Sequence, residues 1–127
     1  MPQFNLQFQV EVIEDQRQLN GARYVSLEGP GDEEAQGWAI ALNYGQSKDA
    51  SLEEADLALT GPNGGIFAGL ESGKTDIVTD DVSGDEHEML ELTLRISGGD
   101  GDYADAAGEV RLCGDILAGG GRITVSA

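Results

Sequence analysis

The feature that most limits the fold is a period-two alternation of apolar and polar residues, which recurs along most of the chain. Because successive side chains of a β-strand point to opposite faces, this pattern predicts strands with one buried face. The alternation is clearest near the start, where the apolar positions are Phe4, Leu6, Phe8, Val10 and Val12. No segment shows a convincing apolar stripe at helical spacing, so the chain is predicted to be all-β.

Further alternating segments follow, separated by polar turns rich in glycine. Residues 52–60 also read as a helix, but glycine-rich turns on both sides favour a strand. The clearest turns are Asn20-Gly21 and residues 61–65, whose composition suits tight reversals. Strands are predicted over residues 4–12, 22–28, 37–44, 52–60, 66–73, 74–82, 87–97, 110–116 and 123–125.

A sheet of eight or nine strands without a helix to cover it must fold on itself, as a barrel or a two-layer sandwich. Closure removes the exposed edges, and eight strands leave an interior that side chains fill or that holds one small ligand. We therefore predict a single antiparallel, closed β-barrel of about eight strands that forms one domain over residues 1–127.

The charge balance limits the partners. The chain has 24 acidic and 7 basic residues, a formal net charge of −17, and such a surface repels phosphate backbones and anionic lipid. We therefore expect no nucleic-acid and no membrane partner. The acidic residues are spread along the chain, which favours a solubilising coat over a surface for a cation or a basic partner. The start lacks the pattern of a signal peptide, so a cytoplasmic protein is expected.

Few residues are suited to metal binding or nucleophilic catalysis. His87 is the single histidine and Cys113 the single cysteine, so a disulfide within the chain is excluded and a transition-metal site is not expected. Residues 69–75 contain Gly-Lys-Thr, but the preceding glycine has the wrong spacing for a phosphate-binding loop. No cofactor and no metal are predicted.

Residues 96–110, ISGGDGDYADAAGEV, carry a family resemblance. They are similar to the GGTGxYxGAxG segment of the allene oxide cyclase-like and dirigent-like β-barrels, within the calycin type of fold. Asp100 stands where that segment commonly has threonine, and Asp105 where it commonly has glycine. As in those families, the segment follows a long strand and precedes a short closing pair. Its glycines permit unusual backbone angles, and Tyr103 can plug one end of the barrel.

The resemblance implies a cofactor-independent cyclase or isomerase acting on a linear, hydrophobic, polyketide-like substrate in the barrel lumen. Bacterial relatives in spirotetronate pathways catalyse intramolecular [4+2] cycloadditions, so a pericyclase of the Diels–Alderase type is included. Related barrels also pair or form trimers, which leaves a homodimer or homotrimer open. Shape alone can accelerate such a ring closure by holding a flexible substrate near its reactive conformation.

Candidate site residues follow from the interior that the barrel would enclose. Glu88 shares the apolar parity of Leu90, so it could act as a general acid or base inside the barrel mouth, unless the strand begins only at Leu90. The catalytic candidates are Tyr24, Tyr44, Tyr103 and Glu88, and the substrate-binding candidates are Phe8, Trp38, Phe67 and Leu92. Two rivals remain: a non-catalytic binding protein for a small apolar ligand, and a structural domain whose interior is filled by its own side chains.

Overall fold

Eight strands follow one another along the chain, each antiparallel to the next, and the last pairs with the first to close the barrel. The computed structural model describes residues 5–32, 35–49, 51–117 and 119–126. The strands are β1 (Asn5–Arg17), β2 (Arg23–Pro30), β3 (Ala39–Gln46), β4 (Leu52–Gly61), β5 (Gly64–Thr79), β6 (Glu86–Gly99), β7 (Glu109–Leu117) and β8 (Gly120–Ser126). The all-β class and the closed antiparallel barrel are confirmed, while Phe4 of the first predicted strand lies outside the described residues.

The predicted strands over residues 66–73 and 74–82 are wrong as separate elements, because residues 64–79 form the single strand β5 and residues 80–82 lie in the turn that follows it. The ladder between β5 and β6 shifts between Leu70 and Ser72, and the strand continues past this irregularity. Gly73 allows the continuation, since a Cβ there would lie 2.7 Å from the carbonyl oxygen of Glu91. The strand count is therefore eight, and residues 52–60 form a strand as predicted.

The interior of the barrel is a packed core. Alternate residues of all eight strands point inward and form one apolar cluster. The largest of its fully buried side chains are Phe8, Leu27, Leu42, Leu59, Leu94, Val110, Leu112, Ile123 and Val125. These side chains occupy the space that a ligand would need, so the described structure has the character of a filled eight-stranded barrel.

One end of the barrel, which we call the aromatic end, is closed by the segment that carries the family resemblance. A 3₁₀ turn (Gly101–Tyr103) lies against the β4–β5 turn, where the backbone N–H of Asp102 donates to the carbonyl of Asn63 at 2.9 Å. The ring of Tyr103 packs on Trp38 with centroids 5.4 Å apart and planes tilted by 60°. The predicted role of Tyr103 as an end plug is confirmed.

The opposite end, the polar end, is built differently. The β4–β5 ladder stops at Asp56 and Gly69, and the β1–β8 ladder stops at Glu11 and Gly120. Beyond these points the hairpins β1–β2 and β5–β6 continue, so the wall has two seams. The strands on either side of the seams form two half-barrels, β1–β4 and β5–β8. Among the residues described, no helix has the length and apolar character needed to cross a membrane.

Candidate functional site

A cluster of polar side chains lies on the inner face of the strands at the polar end, and it extends from buried Glu88 to exposed Asp15. We call it the inner polar cluster. It consists of Asp15, Arg23, Tyr44, Gln46, Thr75 and Glu88. Gln46 and Glu88 are the two buried polar or charged residues among those described. Inside an otherwise apolar barrel, a cluster of this kind is the feature that hydrophobic packing does not explain.

Strand alternation explains why these residues point inward. Arg23 continues the inner face of Val25 and Leu27, and Glu88 continues that of Leu90. The parity of Glu88 was predicted from the sequence, and its burial confirms that the strand does not begin only at Leu90. On β1 the register shifts between Val12 and Glu14, so that residue 15 lies opposite inward-facing Val25. That bulge brings Asp15 to the inner face.

Arg23 is the centre of the cluster. Its Nε and Nη2 donate to the two carboxylate oxygens of Asp15 at 2.9 and 2.8 Å, a bidentate ion pair. Its Nη1 donates to the side-chain oxygen of Gln46 at 3.2 Å and also to Glu88. The Tyr44 hydroxyl donates to the other oxygen of Glu88, and the Gln46 amide donates to the Thr75 hydroxyl.

The electrostatics fix the protonation of two members. Hydrogen bonding to Asp15 is the main cause that raises the pKa of Arg23, so the guanidinium stays charged. Burial, followed by the hydrogen bond to Glu88, raises the pKa of Tyr44, so the side chain remains a phenol that donates its proton. The hydrogen bond from Arg23 lowers the pKa of Asp15. The cluster thus offers one permanent cation and one permanent hydroxyl donor.

The inner polar cluster also joins the two half-barrels across the seams. Tyr44 on β3 and Arg23 on β2 both reach Glu88 on β6, and Gln46 on β3 reaches Thr75 on β5. All three connections lie at the end where the β4–β5 and β1–β8 ladders have stopped. Side chains therefore hold this end together where backbone hydrogen bonds do not.

The structure brings together only part of the predicted site. Tyr44 and Glu88 meet in the inner polar cluster, whereas Phe8 and Leu92 are buried in the packed core. Trp38 and Tyr103 contact each other at the aromatic end, so they are separated from Glu88 by the length of the core.

Two predicted residues do not face the lumen at all. Tyr24 is 42% exposed and Phe67 is 43% exposed, both on the outer wall. Their placement inside the barrel is wrong because the opposite parity is the buried one: Val25 flanks Tyr24, and Ile66 and Ala68 flank Phe67. The parity of the buried neighbours decides which face of the strand each aromatic side chain occupies.

Four members of the cluster were missed: Asp15, Arg23, Gln46 and Thr75. Parity with Val25 and Leu27 could have placed Arg23 inside, and parity with Leu42 and Tyr44 could have placed Gln46 there. Asp15 and Thr75 lie beyond bulges on β1 and β5, and the sequence carries no clear signal for those shifts.

The single histidine and the single cysteine lie outside the cluster. The Nδ1 of His87 lies 2.8 Å from the carboxylate of Asp115 on the outer wall, and that contact raises the pKa of His87. Cys113 is exposed. Within the described ranges, no three His, Cys, Asp or Glu side chains are grouped so that they could hold a metal ion.

The described recesses of the surface also lie away from the core. One groove of about 860 Å³ runs along the outer wall over β1, β2 and β3, between Gln9, Glu28 and Ala39. A second, of about 650 Å³, lies over β6 and β7 beside Met89 and Asp115. Comparison with protein-family models, with curated proteins and with solved structures gave no match. The resemblance of residues 96–110 to allene oxide cyclase-like barrels therefore stays a prediction.

Proposed function

We propose that the protein is a cofactor-independent isomerase or cyclase, and that its reaction takes place at the inner polar cluster. The observation that carries the proposal is the buried contact between the Tyr44 hydroxyl and the Glu88 carboxylate, with the Arg23 cation on the other carboxylate oxygen. Buried acid–donor pairs of this kind suit proton transfer and the stabilisation of a developing oxyanion.

The chemistry that fits these groups is proton abstraction next to a carbonyl. Glu88 removes a proton from the carbon beside the carbonyl, and the electron pair of that C–H bond moves to the carbonyl oxygen. Tyr44 and Arg23, which donate to Glu88 in the structure, then donate hydrogen bonds to the enolate oxygen instead. Return of the proton to a different carbon gives an isomer.

The substrate class follows from the surroundings. The inner polar cluster borders a core of aliphatic and aromatic side chains, which favours an uncharged, hydrophobic, linear chain with one carbonyl. Because that core is filled, the substrate must enter between the half-barrels at the polar end and displace the contacts across the seams. Partly buried Val12 and Leu52 pack against the core and supply apolar contact there.

A [4+2] cycloaddition is the variant of this proposal in which no proton is transferred. In that case Tyr44 would polarise a carbonyl conjugated to the dienophile, and the closing barrel would fold the chain into its reactive shape. Glu88 would then position Tyr44 rather than act as a base. The two variants differ in how strongly they depend on the Glu88 carboxylate.

The test uses two probes: linear β,γ-unsaturated ketones, whose double-bond shift is followed by ultraviolet absorbance, and a linear trienone able to close intramolecularly. For proton transfer, we expect Glu88→Gln to lower the rate by about 10²–10⁴-fold. Tyr44→Phe should lower it by about 10²–10³-fold in either variant. A trienone closure that survives Glu88→Gln but not Tyr44→Phe would select the cycloaddition.

Matched controls lie on the outer wall. Glu91→Gln changes an exposed carboxylate on the same strand as Glu88, and Tyr24→Phe removes an exposed hydroxyl on the strand beside Tyr44. Both variants should convert the probes at the wild-type rate. If wild-type protein converts neither probe, the enzymatic proposal is overturned.

The second candidate is a non-catalytic binding protein for a small apolar ligand. It is favoured by the completeness of the cluster: among the described residues, no buried side-chain nitrogen or oxygen lacks a hydrogen-bond partner. A cluster whose hydrogen bonds are all satisfied can hold the two half-barrels together without taking part in a reaction. Saturable binding of the ketones without any conversion would select this candidate.

A further inference from the structure

One edge of β5 carries backbone groups that the fold leaves unpaired. On its β4 side, the ladder ends at Gly69, but β5 continues to Thr79 and pairs only with β6 over this extension. We call residues 71–79 the β5 edge. Among the described residues, none outside β6 forms a backbone hydrogen bond with this segment, although the Gln46 side chain donates to the Thr75 hydroxyl.

The composition of the β5 edge suits strand pairing. Thr75, Ile77, Val78 and Thr79 are β-branched, and Ile77 and Val78 are 59% and 50% exposed. Long exposed edges template pairing with another strand, and proteins usually block them by shortness, proline or lysine. The β5 edge has a single lysine, Lys74, and its Nζ lies 3.7 Å from the Oδ2 of Asp76.

The charges beside the β5 edge decide what could pair with it. On β4, the neighbouring strand, Glu53, Glu54 and Asp56 are exposed. The β5–β6 hairpin adds the exposed acidic residues Asp76, Asp80, Asp81, Asp85 and Glu86. A second copy of this chain, with its net charge of −17, would bring like charges together, whereas a basic segment would be attracted.

We propose that the β5 edge accepts an extended, basic segment of a partner protein as an added strand. Backbone hydrogen bonds to residues 71–79 supply the pairing, and alternate side chains supply the selectivity. On the outer face, lysine or arginine of the partner lies beside Asp76. On the inner face, an apolar side chain lies beside Ile77. This interaction does not depend on the reaction proposed for the inner polar cluster.

The experiment measures binding of a fluorescent peptide of alternating lysine and valine, with the same length as the edge, by anisotropy. Two further peptides carry N-methyl groups on one or the other alternate set of residues. An added strand uses only one set of its N–H groups toward its neighbour. We therefore expect one methylated peptide to lose binding and the other to retain it, with slowed amide exchange of residues 71–79 in the complex.

A pair of charge variants locates the site. Asp76→Lys should weaken binding about fivefold, the effect of about 1 kcal/mol that a surface charge pair can supply. Asp105→Lys makes the same change on an exposed residue near the aromatic end and should leave binding unchanged. Equal binding of both methylated peptides, or equal weakening by both variants, would reduce the interaction to unspecific attraction and overturn the proposal. A dimer in sedimentation whose β5 edge is already protected would overturn it in favour of a second copy.

Discussion

The two ends of the barrel are closed by different means. At the aromatic end, most contacts join backbone to backbone: the N–H of Asp100 donates to the carbonyl of Gly65 at 3.0 Å, and the N–H of Asp102 donates to the carbonyl of Asn63 at 2.9 Å. The Asp100 carboxylate adds one side-chain contact, because it accepts from the N–H of Gly65 at 2.7 Å. At the polar end, side chains of the inner polar cluster span the seams. The first end depends on close fit between main chains, and the second on a few charges.

This difference bears on which end can open. Backbone contacts supported by a Trp38–Tyr103 pair are lost only when the loops themselves rearrange. Side-chain contacts can be exchanged for contacts to a ligand or to water without moving the strands far. The proposed entry of a substrate at the polar end follows from this asymmetry.

The largest expected effect is that of removing the cation at the polar end. Arg23→Met leaves Asp15 and Glu88 without their shared counter-ion, and Glu88 is buried. Breaking one side of a buried ion pair typically costs about 3–5 kcal/mol of unfolding free energy. Urea denaturation, with amide exchange to show that the loss concentrates at the polar end, measures the effect.

A matched control for Arg23→Met is Arg95→Met. Arg95 also bridges two carboxylates, Glu71 at 2.7 Å and Glu109 at 3.6 Å, but on the exposed outer wall. Solvent screens such pairs, so this variant should unfold at the wild-type urea concentration. Equal losses for the two variants would mean that the inner polar cluster is no more important than a surface ion pair.

The next effect concerns the aromatic end. Gly101 has φ of +58°, and a Cβ there would lie 2.2 Å from the carbonyl oxygen of Asn63. Gly101→Ala should therefore lower the unfolding free energy by about 2–4 kcal/mol, from backbone strain and overpacking together. Gly84, at the tip of the β5–β6 hairpin, has φ of +76° but no atom within 4 Å of the same position.

Gly84→Ala is the control, because it adds the strain without the close contact. It should lower the unfolding free energy by only about 1 kcal/mol. If Gly101→Ala behaves like Gly84→Ala, the backbone fit at the aromatic end is looser than described, and the contrast between the two ends weakens.

The smallest effect is the titration of His87 on the outer wall of the polar end. Asp115 raises the pKa of His87 above its ordinary value of 6.5. A raised folded-state pKa contributes stability that is fully present below 6.5 and is lost as the pH rises through the folded value. NMR titration of this single histidine should give a midpoint above 6.5 that falls in Asp115→Asn. A midpoint at or below 6.5 would show that the pair does not form.

Strand alternation predicted most of the fold from the sequence. It predicted the closed barrel and the inward position of Glu88, because one buried face fixes parity along each strand. The plug at Tyr103 was predicted from the glycine-rich segment over residues 96–110 instead. The bulges on β1 and β5 were not predictable, since they depend on how neighbouring strands meet. They turn Asp15 and Thr75 inward and join two predicted strands into β5.

Charged residues caused the other misses at the site. Arg23 has the parity of Val25 and Leu27, yet a charged side chain is expected in solvent unless a buried partner is known. Its partners come from β1, β3 and β6, far apart in sequence. The sequence alone therefore does not predict this cluster, because its members come together only when the barrel closes.

The pairing of β1 with β8 has a consequence for how the chain folds. Asn5 lies opposite Ser126, so the ladder that closes the barrel joins segments from opposite ends of the described chain. During synthesis, one edge of β1 stays unpaired until β8 has been made. Contacts between segments so distant in sequence are also slow to form. The net charge of −17 opposes the pairing of such open edges between two copies of the chain, because like charges repel.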